Sequence, residues 1–374
     1  MSLSLSKFWL GPLPKEEILA ERKRSFWRHW LFHPIKRRLA KLYLVILKKI
    51  FGLRVIAITG SVGKTTTKDM LFSVLSAEAP TVATKANITP TYNIPTTILR
   101  ATPRTKYLIL EMGIEYKGDM DFYTWLARPD ITVITAVDLS HTEFFGNLKT
   151  VSHEKGKIAK FAEYLVIPEN APNIEINTRG RVIKVPIKDH ALPTKLIGSH
   201  FNLNASLAIA VAELLKVPRQ YFSELSKFEH PRHRMELVEL ASGGYIIDDT
   251  YNASPLAVRG ALMALFETAK KFKKNPVFVF GQMNELGQYE KQAHSDIGLL
   301  VRDLKQKMTE LEFFCIGSAT KFALEPAKFG RYFENREDLL NALKPLVKSG
   351  ENIILIKGSR SWHLDQLVDE LKKN

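Results

Sequence analysis

The stretch Gly60-Ser61-Val62-Gly63-Lys64-Thr65-Thr66 sets two glycines, a lysine and two threonine hydroxyls where a chain could wrap an anion. Backbone N–H groups in a glycine turn at a helix N-terminus are unpaired donors at the positive end of the helix dipole, so such turns bind phosphate. Gly60 and Gly63 permit the close approach, Lys64 is spaced to reach the terminal phosphates of a nucleotide, and the Thr65 hydroxyl to ligate Mg²⁺. The spacing is G-x-x-G-K-T, a shortened phosphate loop, because Ile58 stands where the longer form has its first glycine. Taken alone, the loop suits a nucleotide-hydrolysing switch, a kinase or a ligase.

A phosphate loop needs a strand before it and a helix after it, and the flanking residues supply both. Arg54–Thr59 reads as a short buried strand, and a helix is expected from the loop to about Glu78. Further apolar runs at Tyr107–Glu111, Ile131–Ala136, Tyr164–Ile167, Tyr245–Asp248, Val277–Phe280, Phe313–Gly317 and Ile353–Lys357 alternate with helical segments. This alternation predicts α/β domains built on mainly parallel sheets. At 374 residues the chain is long enough for two or three domains. The Pro/His/Arg stretch around Glu229–Arg234 follows the expected helix Asn204–Leu215 and marks a boundary, giving segments 1–52, 53–232 and 233–374.

Charge is distributed unevenly. The chain carries a formal +15, of which residues 1–52 hold +9, from twelve Lys/Arg and three Glu. From Pro34 onward Ile35, Leu39, Leu42, Tyr43, Ile46, Leu47 and Ile50 recur at helical spacing, with Lys36, Arg37, Lys41, Lys48 and Lys49 off the stripe. Such a basic amphipathic helix, with Trp27, Trp30 and Phe32 upstream, is suited either to pack on the following domain or to lie on an anionic membrane surface. No nucleic-acid motif accompanies it, and no nucleic-acid partner is expected. The longest apolar run, Leu42–Leu47, lies between lysines and is far short of the roughly 20 residues of a membrane span. With Cys315 as the single cysteine and no signal-peptide pattern, a cytoplasmic, monomeric protein is expected, peripheral at the inner face of the membrane on the second reading of the helix.

Several ordered motifs narrow the chemistry. The phosphate loop runs on into Thr67-Lys68; Glu111-Met112-Gly113 precedes Gly118-Asp119-Met120; His141-x-Glu143 precedes Lys155-Gly156. Further on stand Asp248-Asp249-Thr250-Tyr251-Asn252, then Gly281-Gln282-Met283-Asn284-Glu285-Leu286-Gly287, then Lys357-Gly358-Ser359-Arg360-Ser361. From about residue 53 to the end, this set resembles the Mur ligases, and within them the branch that adds D-alanyl-D-alanine to a muramoyl peptide in peptidoglycan precursor synthesis. The resemblance implies a central P-loop ATPase domain and a Rossmann-like C-terminal α/β domain. It also implies ATP-dependent amide formation through an acyl phosphate, with two magnesium ions.

Site residues follow from the same resemblance. Gly60, Ser61, Gly63, Lys64, Thr65, Thr66, Asn204, Arg234, Asp249 and Asn252 match nucleotide-contacting positions. Thr65 and Glu111 match ligands of one magnesium, and His141 a ligand of the second. Lys155 matches a lysine that is carbamylated in the family, turning a cation into a carboxylate able to position that ion. Asn87, Lys357 and Arg360 match substrate positions. Lys64, His141, Lys155 and Arg234 are the catalytic set. By themselves, His141 reads equally as a structural histidine and Lys155 as a solvated helix residue; His233 and Glu236 read as boundary or surface residues. The family's usual N-terminal UDP-sugar domain is longer than residues 1–52, Gln282 stands for an aspartate, and the loop around Asn87 lacks the paired asparagines of that branch. These departures leave open a ligase for a non-UDP or lipid-linked substrate, and a non-catalytic nucleotide-binding partner held at the membrane.

Overall fold

The computed structural model describes residues 32–373 apart from 86–87, 194–195 and 230–231. Asn87, Trp27, Trp30 and the His230-Pro231 step therefore lie outside the described residues. The chain divides into two compact units, each assembled from separated segments: residues up to Val137 with Asn147–Ala191 and Asn202–Phe228, and Asp138–Gly146 with Leu192–Phe201 and everything from Glu229 onward.

In the first unit, β1 (Arg54–Thr59), β2 (Thr81–Ala83), β3 (Tyr107–Glu111), β4 (Ile131–Ile134), β5 (Tyr164–Pro168) and β6 (Arg181–Val185) form a parallel sheet in the order β2-β3-β1-β4-β5-β6. Val55 to Ile58 are fully buried, as is required of a strand covered on both faces. Successive strands depart to opposite sides of β1, so its carboxyl end is the switch point where open α/β sheets bind ligands. The parallel registers Ile58↔Glu111 and Thr59↔Ile134 bring the ends of β3 and β4 to that point.

The helix His33–Phe51, stopped at Gly52 in the left-handed conformation, packs against the helices Pro90–Arg100 and Asp119–Ala127. Its buried residues are Pro34, Arg37, Ala40, Leu44 and Leu47. The Arg37 guanidinium lies 5.1 Å from the Phe122 ring centroid, Lys48 pairs with Asp130 at 2.8 Å, and Tyr43 donates to the Ala101 carbonyl. The helix thus packs, but not through the stripe read from the sequence: of that stripe only Leu47 is buried, while Ile35, Leu39, Leu42, Ile46 and Ile50 are exposed. The cation–π contact and the ion pair allow a face containing Arg37 and Lys48 to turn inward.

Asp119 begins the helix Asp119–Ala127 and accepts hydrogen bonds at one oxygen from the amides of Glu115 and Tyr116, while Oδ1 is buried without a hydrogen-bond partner. Burial raises its carboxyl from the ordinary 3.8 to about 6, against the opposing effect of those two amides. The folded chain therefore binds a proton that the unfolded chain releases between these values. This stabilising contribution is complete below about pH 4 and is lost as pH rises through 6. Asp119→Asn is expected to abolish a pH-dependent term on the order of 2 kcal/mol. Urea unfolding of both proteins at pH 4.5 and 7 measures it; equal pH dependence would contradict the assignment.

In the second unit, β7 (Glu236–Glu239), β8 (Tyr245–Asp249), β9 (Asn275–Gly281), β10 (Glu312–Ile316), β11 (Arg331–Phe333) and β12 (Asn352–Lys357) pair in the order β11-β10-β9-β12-β8-β7. All pairings are parallel except β7 with β8. Ile246, Val277, Val279, Phe314, Ile354 and Ile356 on one face pack with Leu339, Leu343, Leu364 and Val368 from helices. This core holds the carboxyl ends of β8, β9 and β12, where the polar motifs begin.

Candidate active site

In the first unit the loop after β1 folds as a cradle closed by backbone. The Ser61 amide donates to the Ala136 carbonyl, and Thr135 Oγ1 donates to the carbonyls of Thr59 and Val62. Gly60 has φ 153° and Gly63 φ 81°. A Cβ on Gly60 would stand 2.0 Å from Thr135 Oγ1, and one on Gly63 would stand 2.5 Å from Asn204 Oδ1, so both positions need glycine for space as well as conformation. Gly63 caps the helix Lys64–Glu78 without a side-chain cap, leaving its first-turn amides directed at the cradle. Ser61 and Thr66 belong to this turn, and Asn204, buried in the helix His200–Leu214, accepts a 3.2 Å hydrogen bond from Thr67 beside it.

Lys64 Nζ lies 2.7 Å from the Gly60 carbonyl and 3.4 Å from that of Ser61, folded over the loop. Thr65 Oγ1 donates to Glu111 Oε1 at 2.9 Å, which unites the two expected magnesium ligands. Behind them the buried Lys68 ammonium lies 3.7 Å from Glu111 Oε2 and 3.1 Å from both Asp69 Oδ1 and the Thr84 carbonyl. Sequence reading gave Lys68 no task, although it stands within the same motif; here it positions Glu111. Hydroxyl and carboxylate oxygens at the mouth of an amide-lined turn fit a hard divalent cation and the phosphates it accompanies.

Lys155 lies in the helix Leu148–Gly156 of the same unit and is 1% exposed, which removes the solvated-lysine reading. The segment Asn173–Glu175 lies against this helix: Ser152 Oγ donates to the Asn173 carbonyl and accepts from the Glu175 amide. Like Lys68 and Lys357, Lys155 is among the largest fully buried side chains of the described residues.

His141 belongs to the second unit. It is left-handed at φ 58° and caps the short helix Thr142–Phe145. Its Nδ1 stands 2.6 Å from Glu285 Oε2, the Glu143 amide donates to the Glu285 carbonyl, and Thr142 Oγ1 to the Leu286 carbonyl. The His141 hydrogen bond holds the Glu285 carboxyl below its usual range, against partial burial that acts to raise it. A carboxylate beside Nδ1 leaves Nε2 as the ring nitrogen for a metal, the usual support of a metal-binding histidine. Glu285 stands in the motif Gly281–Gly287, and its link to His141 spans too much sequence to be read from spacing.

The remaining residues gather around the ends of β8 and β12. The register pairs Lys357 with Asp249, and the ammonium lies 2.5 Å from Asp249 Oδ2 and 2.8 Å from the Asn252 carbonyl. Arg234 stacks on the Tyr251 ring at 3.7 Å, and the exposed Arg360 lies 5.3 Å from the same ring. His233, read as a surface residue, bonds through Nδ1 to the fully buried Asp248 at 2.8 Å, and its amide donates to Glu236. Burial raises the Asp248 carboxyl, opposed by hydrogen bonds from Thr250 and His233.

Comparison with known proteins gives a consistent set of likenesses. The Mur ligase middle domain matches residues 58–179, and the Mur ligase glutamate ligase domain matches residues 233–360. The UDP-N-acetylmuramoyl-tripeptide–D-alanyl-D-alanine ligase of Bacillus subtilis is 31% identical over 369 residues, covering 90% of this chain and 78% of the relative. The crystal structure of MurF from Acinetobacter baumannii superposes with TM-score 0.79 at 25% identity, covering 91% of this chain and 81% of that one. In fold, MurF ligase from Thermotoga maritima in complex with ADP is similar at TM-score 0.78 and 23% identity, over 91% of this chain and 83% of that one.

Proposed function

We propose, from the premise that the chain belongs to the Mur ligase family, that it is an ATP-dependent, ADP-forming ligase. In this reading it joins the carboxylate of a muramoyl peptide to the amine of D-alanyl-D-alanine in peptidoglycan precursor synthesis, the reaction named for its relatives. The observation that carries the reading is the hydrogen-bonded pair Thr65–Glu111 beside a turn whose two glycines, Gly60 and Gly63, leave no room for a side chain.

The amides of Gly60, Ser61, Gly63, Lys64, Thr65 and Thr66 bind the phosphates, with Asn204 beside them. Lys64 leaves the loop carbonyls for the terminal phosphates and offsets the charge that a carboxylate meets there. Arg234, Asp249 and Asn252 contact the nucleotide; Asn87, Lys357 and Arg360 contact substrate. Thr65 and Glu111 would hold one Mg²⁺; His141, beside Glu285, and Lys155, as a carbamate, would be ligands for a second. Magnesium supplies charge neutralisation and Lewis acidity when bound. The substrate carboxylate oxygen attacks the γ-phosphorus and ADP leaves; the amine then attacks the acyl carbon, inorganic phosphate departs, and the amine gives up a proton as the amide forms.

Phosphate release from Mg-ATP with a UDP-linked muramoyl tripeptide, with and without D-alanyl-D-alanine, tests the reading, with products identified by mass and Lys64→Ala as the blank. Release dependent on both substrates and a matching amide product is expected. Absence of turnover with nucleotide binding intact would overturn the substrate assignment. A second reading, a lipid-linked peptide as acceptor, is favoured by the exposed apolar stripe on the helix His33–Phe51. On it the enzyme is a cytoplasmic monomer working at the inner face of the membrane.

A further inference from the structure

The helix His33–Phe51 turns a row of large apolar side chains away from the domain it is packed on. Phe32, Ile35, Leu39, Leu42, Ile46 and Ile50 fall within an arc of about 80° at 100° per residue, and Leu39, Leu42 and Ile50 are 55%, 61% and 70% exposed. A helix resting on a globular domain normally does the reverse, with its apolar stripe inward. An exposed contiguous row of this kind marks an interaction surface.

Charge identifies what meets it. The helix contains six basic residues and no acidic one. Lys41 and Lys48 are engaged with the domain, over the Trp125 ring and with Asp130. Lys36, whose ammonium donates to Thr96 Oγ1 at 2.8 Å, borders the row on one side, and Arg38 and Lys49 border it on the other. A second copy would set basic rim against basic rim. Residues 1–31, which precede the row, are themselves basic, with six Lys/Arg against three Glu, so they offer no complementary charge. A surface both apolar beneath and negative above is an anionic bilayer, into whose interface such a helix sinks its apolar row while the rim cations reach the headgroups. Among the described residues no helix is long and apolar enough to cross a membrane, so the helix lies on the surface.

We propose that this exposed row, Phe32 to Ile50, docks the enzyme on an anionic lipid bilayer, an inference that rests on the membrane-side placement above and not on the ligase chemistry. The test is cosedimentation of the full chain with vesicles of phosphatidylcholine alone and of phosphatidylcholine with phosphatidylglycerol. The wild type is expected to pellet only with the anionic vesicles. The variant Leu39→Glu/Leu42→Glu/Ile46→Glu is expected to lose about ten-fold in vesicle affinity, and Arg38→Gln/Lys49→Gln to weaken it less, with turnover of soluble substrate unchanged in both. If the wild type does not pellet, the membrane placement itself fails. If it pellets and the triple variant pellets equally, the docking face is wrong while the placement stands. A lower melting temperature of the triple variant would mean that the row is already covered by the chain's own residues, and a dimer that the substitutions split would mean that it is covered by a second copy; either overturns the proposal.

Discussion

Replacing Lys64 with alanine is expected to lower ATP-dependent product formation by about 10³-fold, the scale on which removal of one charge-stabilising group acts in a phosphoryl-transfer site. The ammonium lies over the carbonyls of Gly60 and Ser61, close to the helix amides that face the cradle. Its hydrogen bonds to those two carbonyls stay within its own loop, so the fold should survive its truncation. Measured as kcat with saturating substrates beside a thermal melt, the variant should lose rate and keep its melting temperature to within a few degrees. A loss below ten-fold would remove Lys64 from the phosphate-binding role.

Asp249→Ala is expected to destabilise the protein by about 3–5 kcal/mol, because removing one member of a buried ion pair leaves the other charge without compensation. Lys357 is 2% exposed, and the parallel register of β12 and β8 fixes its ammonium beside Asp249. The Asn252 carbonyl, its other contact, is a poor substitute for a carboxylate. Replacing both, as Asp249→Leu/Lys357→Met, should recover most of the loss, since an apolar pair of similar volume needs no counter-charge. Urea titrations of the single and double variants give the comparison; a double variant no more stable than the single would show that the pair does not act as a unit.

The central strands of both sheets were legible because strands covered on both faces read as apolar runs: Val55–Ile58, Leu108–Leu110 and Ile353–Ile356 are all buried. Four strands escaped, β2, β6, β7 and β11, and they are the two edges of each sheet. Edge strands commonly carry charge, as β6, β7 and β11 do with Arg181, Lys184, Glu236, Glu239 and Arg331, and that composition hides them; β2 is only the three residues Thr81–Ala83. The phosphate loop was legible because its parts are contiguous. Lys155 read as a surface residue because its helix is polar; its burial depends on tertiary packing, to which the distant segment at Asn173–Glu175 contributes. The exposed row of the helix His33–Phe51 was visible as a stripe, but periodicity cannot say which way a stripe faces when Arg37 finds an aromatic ring to cover.

The pairing of His141 with Glu285 also sets an order of events during synthesis. Thr142 and its partner Leu286 are 144 residues apart in the chain, yet both belong to the second unit. At about 5–20 residues per second, the ribosome delivers the later segment roughly 7–30 s after the earlier one. Through that interval Asp138–Gly146 has emerged with residues on both sides of it, Ile131–Ile134 and Leu148–Gly156, that fold into the first unit. The turn itself is closed by local bonds such as Phe144 N–H to the His141 carbonyl, but the His141 ring can meet Glu285 only when the second half of the protein arrives, so a chain arrested before Glu285 leaves this histidine without its carboxylate.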